Sequence, residues 1–272
     1  MITITSEEGL ITYDKWDFSG GEIGIRLSSQ PKEVDECIIT AYYTKSEDLM
    51  ELLLVTSALQ EKYKGILIHL VMPYFPYARQ DRVCFPGEPL SSRVACELIN
   101  AQMYVSVEIW DAHSNVVPAL LDSCTNIHCA DFVETFHKKL GILVSPDAGS
   151  YNKVAECANR TRSILIEGMK HRDPKTGQII HTSILNGNAD NVALNKPQML
   201  IVDDICDGGR TFVELAHALR GKFKDPIIDL YVTHGIFSKG LEPFKGLIRK
   251  VYCANPFPGT PKEVIKVERV LR

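Results

Sequence analysis

Asp203 and Asp204, adjacent carboxylates, are followed by Asp207, Gly208, Gly209, Arg210 and Thr211, and no other stretch of this 272-residue chain is better equipped for chemistry. Neighbouring carboxylates accept hydrogen bonds from vicinal hydroxyls, which a ribose presents through O2 and O3, and their summed charge suits a divalent cation. The glycine pair lets the backbone turn tightly. A helical pattern follows, with Phe212, Leu215, Ala216 and Leu219 on one face and Thr211 and Glu214 at the spacing of a capping box. Such a turn aims several N–H groups and the positive end of a helix at one point, an anion site and most naturally a phosphate site. Taken alone, the segment also reads as a plain strand, an acidic turn and a capped helix.

The two acids close a short apolar run, residues 199–202, of the kind expected for a strand buried on both faces of a parallel sheet. The same arrangement recurs. Residues 66–71 lead into PYFPYARQDR at 73–82, residues 105–109 into Trp110, Asp111, Ala112 and His113, and residues 142–144 into Ser145, Pro146, Asp147 and Ala148. Residues 164–166 lead into Lys170, His171 and Arg172, and residues 228–232 into THGIFS at 233–238. Ligands of open α/β sheets bind outside the carboxyl ends of the strands, so six polar junctions there argue for a site and not for scattered surface loops.

Strands are expected at 37–41, 66–71 and 105–109, with helices at 47–59 and 91–101 between them, and again at 142–144, 164–166, 179–184, 199–202, 228–232 and 250–253. Alternating strands and helices imply an α/β fold with mainly parallel sheets and helices on both faces. The length suits about two domains, here residues 1–130 and 131–272, with one site at their junction. Residues 173–177, DPKTG, are turn formers that read as a mobile lid or as a plain basic hairpin.

With 45% hydrophobic and 24% charged residues the composition is that of an ordinary globular protein. A net charge of −4 gives no support to general nucleic-acid binding. The longest apolar runs, such as residues 65–72 with His69 inside, fall short of the roughly 20 residues of a membrane helix, and no signal pattern is visible. Eight cysteines without paired CxxC spacing read as reduced, mostly buried thiols of a cytoplasmic protein. Cys124, His128 and Cys129 are read as an incidental grouping, not a metal site.

Phosphoryl transfer needs cations more than nucleophiles, because its catalysis is mainly positioning and charge stabilisation. Arg79 and Gln80 can hold a polyphosphate and a base edge, and Lys170 and Arg172, two apart on an extended segment, project to one side to neutralise a leaving phosphate. His113 and Asp147 are candidate metal-site residues, although Mg²⁺ seldom takes imidazole directly. No Walker motif or protein-kinase set occurs.

In this order, PYFPYARQDR, the DxH of Asp111 and His113, SPDAGS at 145–150, the KxR of Lys170 and Arg172, VDD at 202–204 and THGIFS resemble the successive motifs of the ribose-phosphate diphosphokinases over nearly the whole chain. The resemblance implies two phosphoribosyltransferase-like domains and diphosphoryl transfer from ATP to the 1-hydroxyl of ribose 5-phosphate, with Mg²⁺ as cofactor. It implies that Arg79 and Gln80 contact ATP, that His113 and Asp147 sit at the magnesium site, and that Lys170 and Arg172 stabilise the transition state. Asp203 and Asp204 would bind the ribose hydroxyls and residues 207–211 the 5-phosphate. Phe18 and Glu22 resemble residues that reach the adenine of a neighbouring subunit, which implies a homo-oligomer, dimer or hexamer.

Three departures qualify the likeness. The phosphate loop commonly reads DTGGT in the family and DGGRT at 207–211 here, so a threonine hydroxyl is gone and the Arg210 guanidinium has appeared, which admits a larger 5-substituted ribose such as ADP-ribose as an alternative acceptor. FSGGE at 18–22 lacks an aspartate often found there, and the chain stops before the family's usual last helix. A catalytically silent regulatory paralogue is the non-enzymatic alternative.

Overall fold

A computed structural model describes residues 1–29, 31–137, 141–172, 179–185 and 196–269, of which 170–172 and 179–181 by their backbone alone. The chain divides into two compact units, Met1–Ile127 and His128–Arg272.

The first unit carries a six-stranded sheet in the order β2-β1-β5-β6-β7-β8, built from β1 (Ile2–Ser6), β2 (Gly9–Ile11), β5 (Glu36–Ala41), β6 (Leu67–Met72), β7 (Ser106–Trp110) and β8 (Cys124–Ile127). The first two strands join antiparallel, and β5 to β8 are parallel. Parallel neighbours need crossovers, supplied here by α1 (Ser46–Lys62), α2 (Ser91–Asn100) and the short α3 (Val116–Leu120). Helix α1 buries Leu49, Leu52, Val55 and Leu59, and α2 buries Ala95, Cys96 and Ile99. Both stripes join one core with Ile39, Leu70 and Ile109, residues of a single sheet face. A separate hairpin, β3 (Tyr13–Asp17) with β4 (Ile23–Leu27), is tied to α1: Glu51 accepts from the Tyr13 hydroxyl at 2.7 Å and from Lys15 Nζ at 2.8 Å.

The second unit orders its strands β11-β10-β9-β12-β13-β14-β15, with β9 (Ile142–Ser145), β10 (Ile164–Arg172), β11 (Ile179–Ile184), β12 (Gln198–Cys206), β13 (Ile227–Gly235), β14 (Val251–Pro256) and β15 (Ile265–Lys266). All its pairings are parallel except β10 with β11. The run 199–202 is buried throughout, as expected of a central parallel strand. Met199 and Ile201 join the core with α6 (Arg210–Lys222) through Phe212, Leu215, Ala216 and Leu219. Two more helices, α4 (Cys129–Phe136) and α5 (Tyr151–Thr161), bury Phe132, Val133, Val154 and Cys157.

Several strands outrun their apolar stretches. Strand β12 continues through Asp203 and Asp204 to Cys206, and β13 runs on through Thr233 and His234. The apolar run marks only the part of a strand that lies in the core; parallel backbone pairing continues beyond it, as between Ile205 and His234. Strand β10 likewise extends to Arg172, because β11 pairs with its distal half, with a register shift between His171 and Arg172. The expected strand at 179–184 is β11. The DPKTG segment, read from the sequence as a lid or a plain basic hairpin, lies outside the described residues.

Candidate active site

In the first unit the site residues sit on the loops after β6 and β7. Phe75 and Ala78, both buried, pin the β6 loop, and Tyr77 adopts a left-handed φ of 59°. That turn is closed by the Gln80 N–H donating to the Tyr77 carbonyl at 2.8 Å. Gln80 Oε1 accepts from the Ser91 hydroxyl at 2.6 Å, and the Ser92 N–H donates to the Gln80 carbonyl, so this residue is fastened to the start of α2. Arg79 beside it is exposed. The β7 loop begins with Asp111, 1% exposed and also left-handed at φ 43°. Its N–H donates to the Ile127 carbonyl at 2.7 Å, and the Ala112 N–H donates to Asn126 Oδ1 at 3.0 Å, so β8 sets the direction in which His113 leaves the sheet. Tyr77 and Asp111 thus both adopt the left-handed region, which is uncommon for residues other than glycine, on the loops after β6 and β7.

Asp81 joins the two loops. Burial works to raise its carboxyl pKa, but the Ser114 hydroxyl, Arg82 and the nearby His113 outweigh burial and hold it below the usual carboxylate range. The RQD and DxH motifs, 30 residues apart in sequence, are thus one constellation within this unit, as parallel β6 and β7 require. Phe18 and Glu22 stand elsewhere, at the tip of the β3–β4 hairpin. The Phe18 N–H donates to the Glu22 carbonyl at 2.8 Å, the Phe18 ring is 53% exposed and meets Trp16 edge-on, and the Glu22 carboxylate lies over Gly20.

In the second unit Asp147, after β9, is built into the start of α5. Its carbonyl accepts from the Ser145 hydroxyl at 2.7 Å, and its Oδ1 accepts from the Ser150 N–H at 3.2 Å. The loop can cross β10 only because residue 168 is glycine: a Cβ there would stand 3.0 Å from the Pro146 carbonyl oxygen and 3.1 Å from that of Ser145. Asp203 Oδ1 accepts from the Asp204 N–H at 3.1 Å, and the Asp204 side chain is nearly buried. Lys153 from α5 stands 3.9 Å from Asp204 Oδ2. Sequence reasoning missed this lysine. Its one signal was its position three residues beyond Ser150, on the first turn of the helix that follows SPDAGS.

After β12 the chain turns through Asp207 and Gly208 to Gly209, which has φ 75° and lies against the Phe244 ring. Helix α6 starts at Arg210 with Gly209 at its N-cap, so the expected Thr211–Glu214 capping box does not form. Glu214 instead binds Arg210 at 2.6 Å, one turn back, because an i,i+4 charge pair competes for the same carboxylate. Among the described residues no acceptor meets the backbone N–H groups of Gly208, Gly209, Arg210 and Thr211; the first to bond is that of Phe212, to the Gly209 carbonyl at 3.1 Å. Four N–H donors at a helix N-terminus form an anion cradle, and the acid pair lies immediately before it. Lys170 and Arg172 lie on β10, which pairs with β9, and their side chains are outside the described residues.

Comparison with known proteins places these features in a family context. Residues 5–102 match the model of the N-terminal domain of ribose phosphate pyrophosphokinase. The chain is 29% identical over 278 residues to a ribose-phosphate pyrophosphokinase of Pyrococcus abyssi, covering 99% of this chain and 92% of that protein. It is 30% identical over 230 residues to the one of Bradyrhizobium diazoefficiens, covering 82% and 70%. Among solved structures, a phosphoribosylpyrophosphate synthetase from Mycobacterium smegmatis shares the fold with a TM-score of 0.77 at 21% identity, over 94% of this chain and 84% of that one.

Proposed function

The chain belongs to the ribose-phosphate pyrophosphokinase family, and we propose that it transfers the diphosphoryl group of ATP to the anomeric 1-hydroxyl of ribose 5-phosphate, giving phosphoribosyl diphosphate and AMP. The observation that carries this reading is the joined pair of loops after β6 and β7, where Asp81 links the Arg79–Gln80 turn to the His113–Ser114 turn. A phosphoribosyltransferase or a ligand sensor needs the cradle after β12 and has no use for a second, cation-bearing rim.

In the reaction the sugar O1 forms a bond to the β-phosphorus while the bond from that phosphorus to the α,β-bridging oxygen breaks; the hydroxyl proton goes to solvent and AMP leaves without a covalent enzyme intermediate. Arg79 holds the polyphosphate, and Gln80, fastened to α2, presents its amide to the base. Asp203 and Asp204 accept hydrogen bonds from the ribose hydroxyls, with Lys153 beside Asp204 to hold it in place. The cradle of Gly208 to Thr211, with Asp207 at its rim, receives the 5-phosphate. Lys170 and Arg172 neutralise charge that develops on the transferring oxygens, an interaction strongest in the transition state.

Mg²⁺ fits the donors present. Mg²⁺ characteristically keeps waters and takes one or two carboxylates together with substrate phosphates, and Asp147, at the start of α5, supplies such a carboxylate. Asp147 and His113 are the residues proposed to hold it, and the ion, when bound, would neutralise charge on the polyphosphate. Phe18 and Glu22, at the tip of a separate hairpin, suit contact with the adenine of a neighbouring copy in a homo-oligomer, dimer or hexamer. A cytoplasmic setting agrees with eight free thiols, six of them buried, among the described residues. No described helix is long and apolar enough to cross a membrane.

ADP-ribose as acceptor would rest on Arg210 serving a second phosphate, and the pairing of Arg210 with Glu214 favours ribose 5-phosphate. Phosphorus NMR of purified protein with Mg-ATP and ribose 5-phosphate tests the proposal. AMP and a 1-diphosphate sugar are expected in equal amounts; the absence of both rejects it in favour of a silent paralogue or another acceptor.

A further inference from the structure

Resting on the ribose 5-phosphate reading, we infer that Lys239 is a further specificity-determining residue, whose ammonium supplies the full positive charge that the backbone cradle of Gly208 to Thr211 lacks. The stem of Lys239 runs along Gly208: a Cβ built on that glycine would lie 3.7 Å from Lys239 Cε and 3.8 Å from Cδ, ordinary van der Waals contact. Nζ is one bond further.

The placement is built into the fold, because the turn that carries Lys239 is bound to the strand that delivers the cradle. The N–H groups of Ile236 and Phe237 both donate to the Cys206 carbonyl, at 2.9 and 3.1 Å, and Cys206 is the last residue of β12. Phe237 is buried at φ 47°, its ring filling the space that a side chain on Gly235 would need. Gly240, at φ 59°, closes the turn with its N–H on the Phe237 carbonyl at 2.8 Å. Lys239, between Phe237 and Gly240, is therefore carried over Gly208 by a tight turn hydrogen-bonded to the root of the phosphate loop.

The charge balance points the same way. The cradle offers backbone dipoles worth about half a positive charge, while a sugar 5-phosphate carries nearly two negative charges. The Nε of Arg210 is engaged by Glu214 one turn further along α6. Among the described residues no carboxylate pairs with Lys239, which is exposed and acts as a compact point charge on a flexible stem. The THGIFS motif ends one residue before this lysine, so the motif alone does not reveal it.

Steady-state kinetics of Lys239→Met and Lys239→Arg, read by AMP release with Mg-ATP and ribose 5-phosphate, test the inference. Methionine keeps the stem over Gly208 and removes the charge. We expect Lys239→Met to raise KM for ribose 5-phosphate about tenfold, or roughly 1.4 kcal/mol, with KM for ATP within about twofold and kcat within about threefold. Lys239→Arg should restore most of the loss, and KM should rise less steeply with added KCl in the methionine variant than in the wild type. An unchanged KM for ribose 5-phosphate, or equal rises in both KM values, overturns the inference. Should the wild type release no AMP, the underlying reading of the reaction fails. Calorimetric titration of ribose 5-phosphate alone then decides on Lys239: weaker binding to Lys239→Met supports the assignment, and equal binding overturns it.

Discussion

Replacing Lys153 by methionine removes the positive charge beside Asp204 and keeps the length and volume of the side chain. The Nζ to Oδ2 separation is 3.9 Å, with side-chain exposures of 22% for the lysine and 9% for the aspartate. At that separation and an effective dielectric constant near 20 the attraction is about 4 kcal/mol. The lysine is still in contact with solvent, and methionine avoids the lysine's own desolvation cost. Both reduce the net loss to about 2 kcal/mol, below the range for fully buried pairs. For a chain of this size that corresponds to a fall in Tm of roughly 4–8 °C. Catalytically, an Asp204 that has lost this lysine is held less firmly for the ribose hydroxyls, so KM for ribose 5-phosphate should rise about tenfold, more than KM for ATP. Differential scanning calorimetry and AMP-release kinetics on wild type, Lys153→Met and Lys153→Arg make the comparison, and arginine should recover most of both losses. A Tm within about 1 °C of wild type, with both KM values unchanged, would refute the coupling of Lys153 to Asp204.

Three further outcomes are expected. Lys170→Ala should lower kcat by roughly two to three orders of magnitude with circular dichroism and Tm unchanged, because it removes charge stabilisation made mostly in the transition state; an unaltered turnover number would reject that role. Gly209→Ala should destabilise by about 2–3 kcal/mol in urea titrations, since the residue has φ 75° and the new Cβ would meet the Phe244 ring at 2.7 Å; a loss below about 0.5 kcal/mol would show that the turn relaxes freely. Asp48 collects hydrogen bonds from the Thr44 N–H and hydroxyl and from the Lys45 N–H, which outweigh its burial and hold its pKa below the usual value. A depressed folded-state pKa stabilises above the unfolded value near 4 and loses that contribution as pH falls through the folded value. Asp48→Asn should therefore cost about 1 kcal/mol at pH 7, and the gap to wild type should narrow towards pH 3 in parallel urea titrations.

How much of this was legible beforehand varies by element. The parallel strands other than β8 and β15, neither of which buries a residue, were visible because buried strands announce themselves as apolar runs, and α1 and α6 because their apolar residues recur at helical spacing. The antiparallel β1 to β4 were not foreseen. Strand β3, YDKWD, is largely polar, and β1, β2 and β4 are too short to form an unbroken apolar run, although Ile4 and Ile11 are buried in the core. Helices α4 and α5 were passed over as well, α4 having only eight residues and the covered stripe of α5 resting on the small residues Val154, Cys157 and Ala158.

At the candidate site, residue types and their order along the chain were enough to identify the family and to propose the ribose-phosphate cradle and the polyphosphate cations, because strand-end chemistry is written in contiguous motifs. Tertiary structure decided which side chains answer one another. Packing of α5 brings Lys153 to Asp204, parallel pairing of β6 with β7 brings Asp81 to Ser114, and two carbonyl bonds at Cys206 carry Lys239 over Gly208. A carboxylate's partner is chosen by distance and competition in space, as when Glu214 takes Arg210 in place of the cap, and spacing in the sequence constrains that choice only within a single helix or strand.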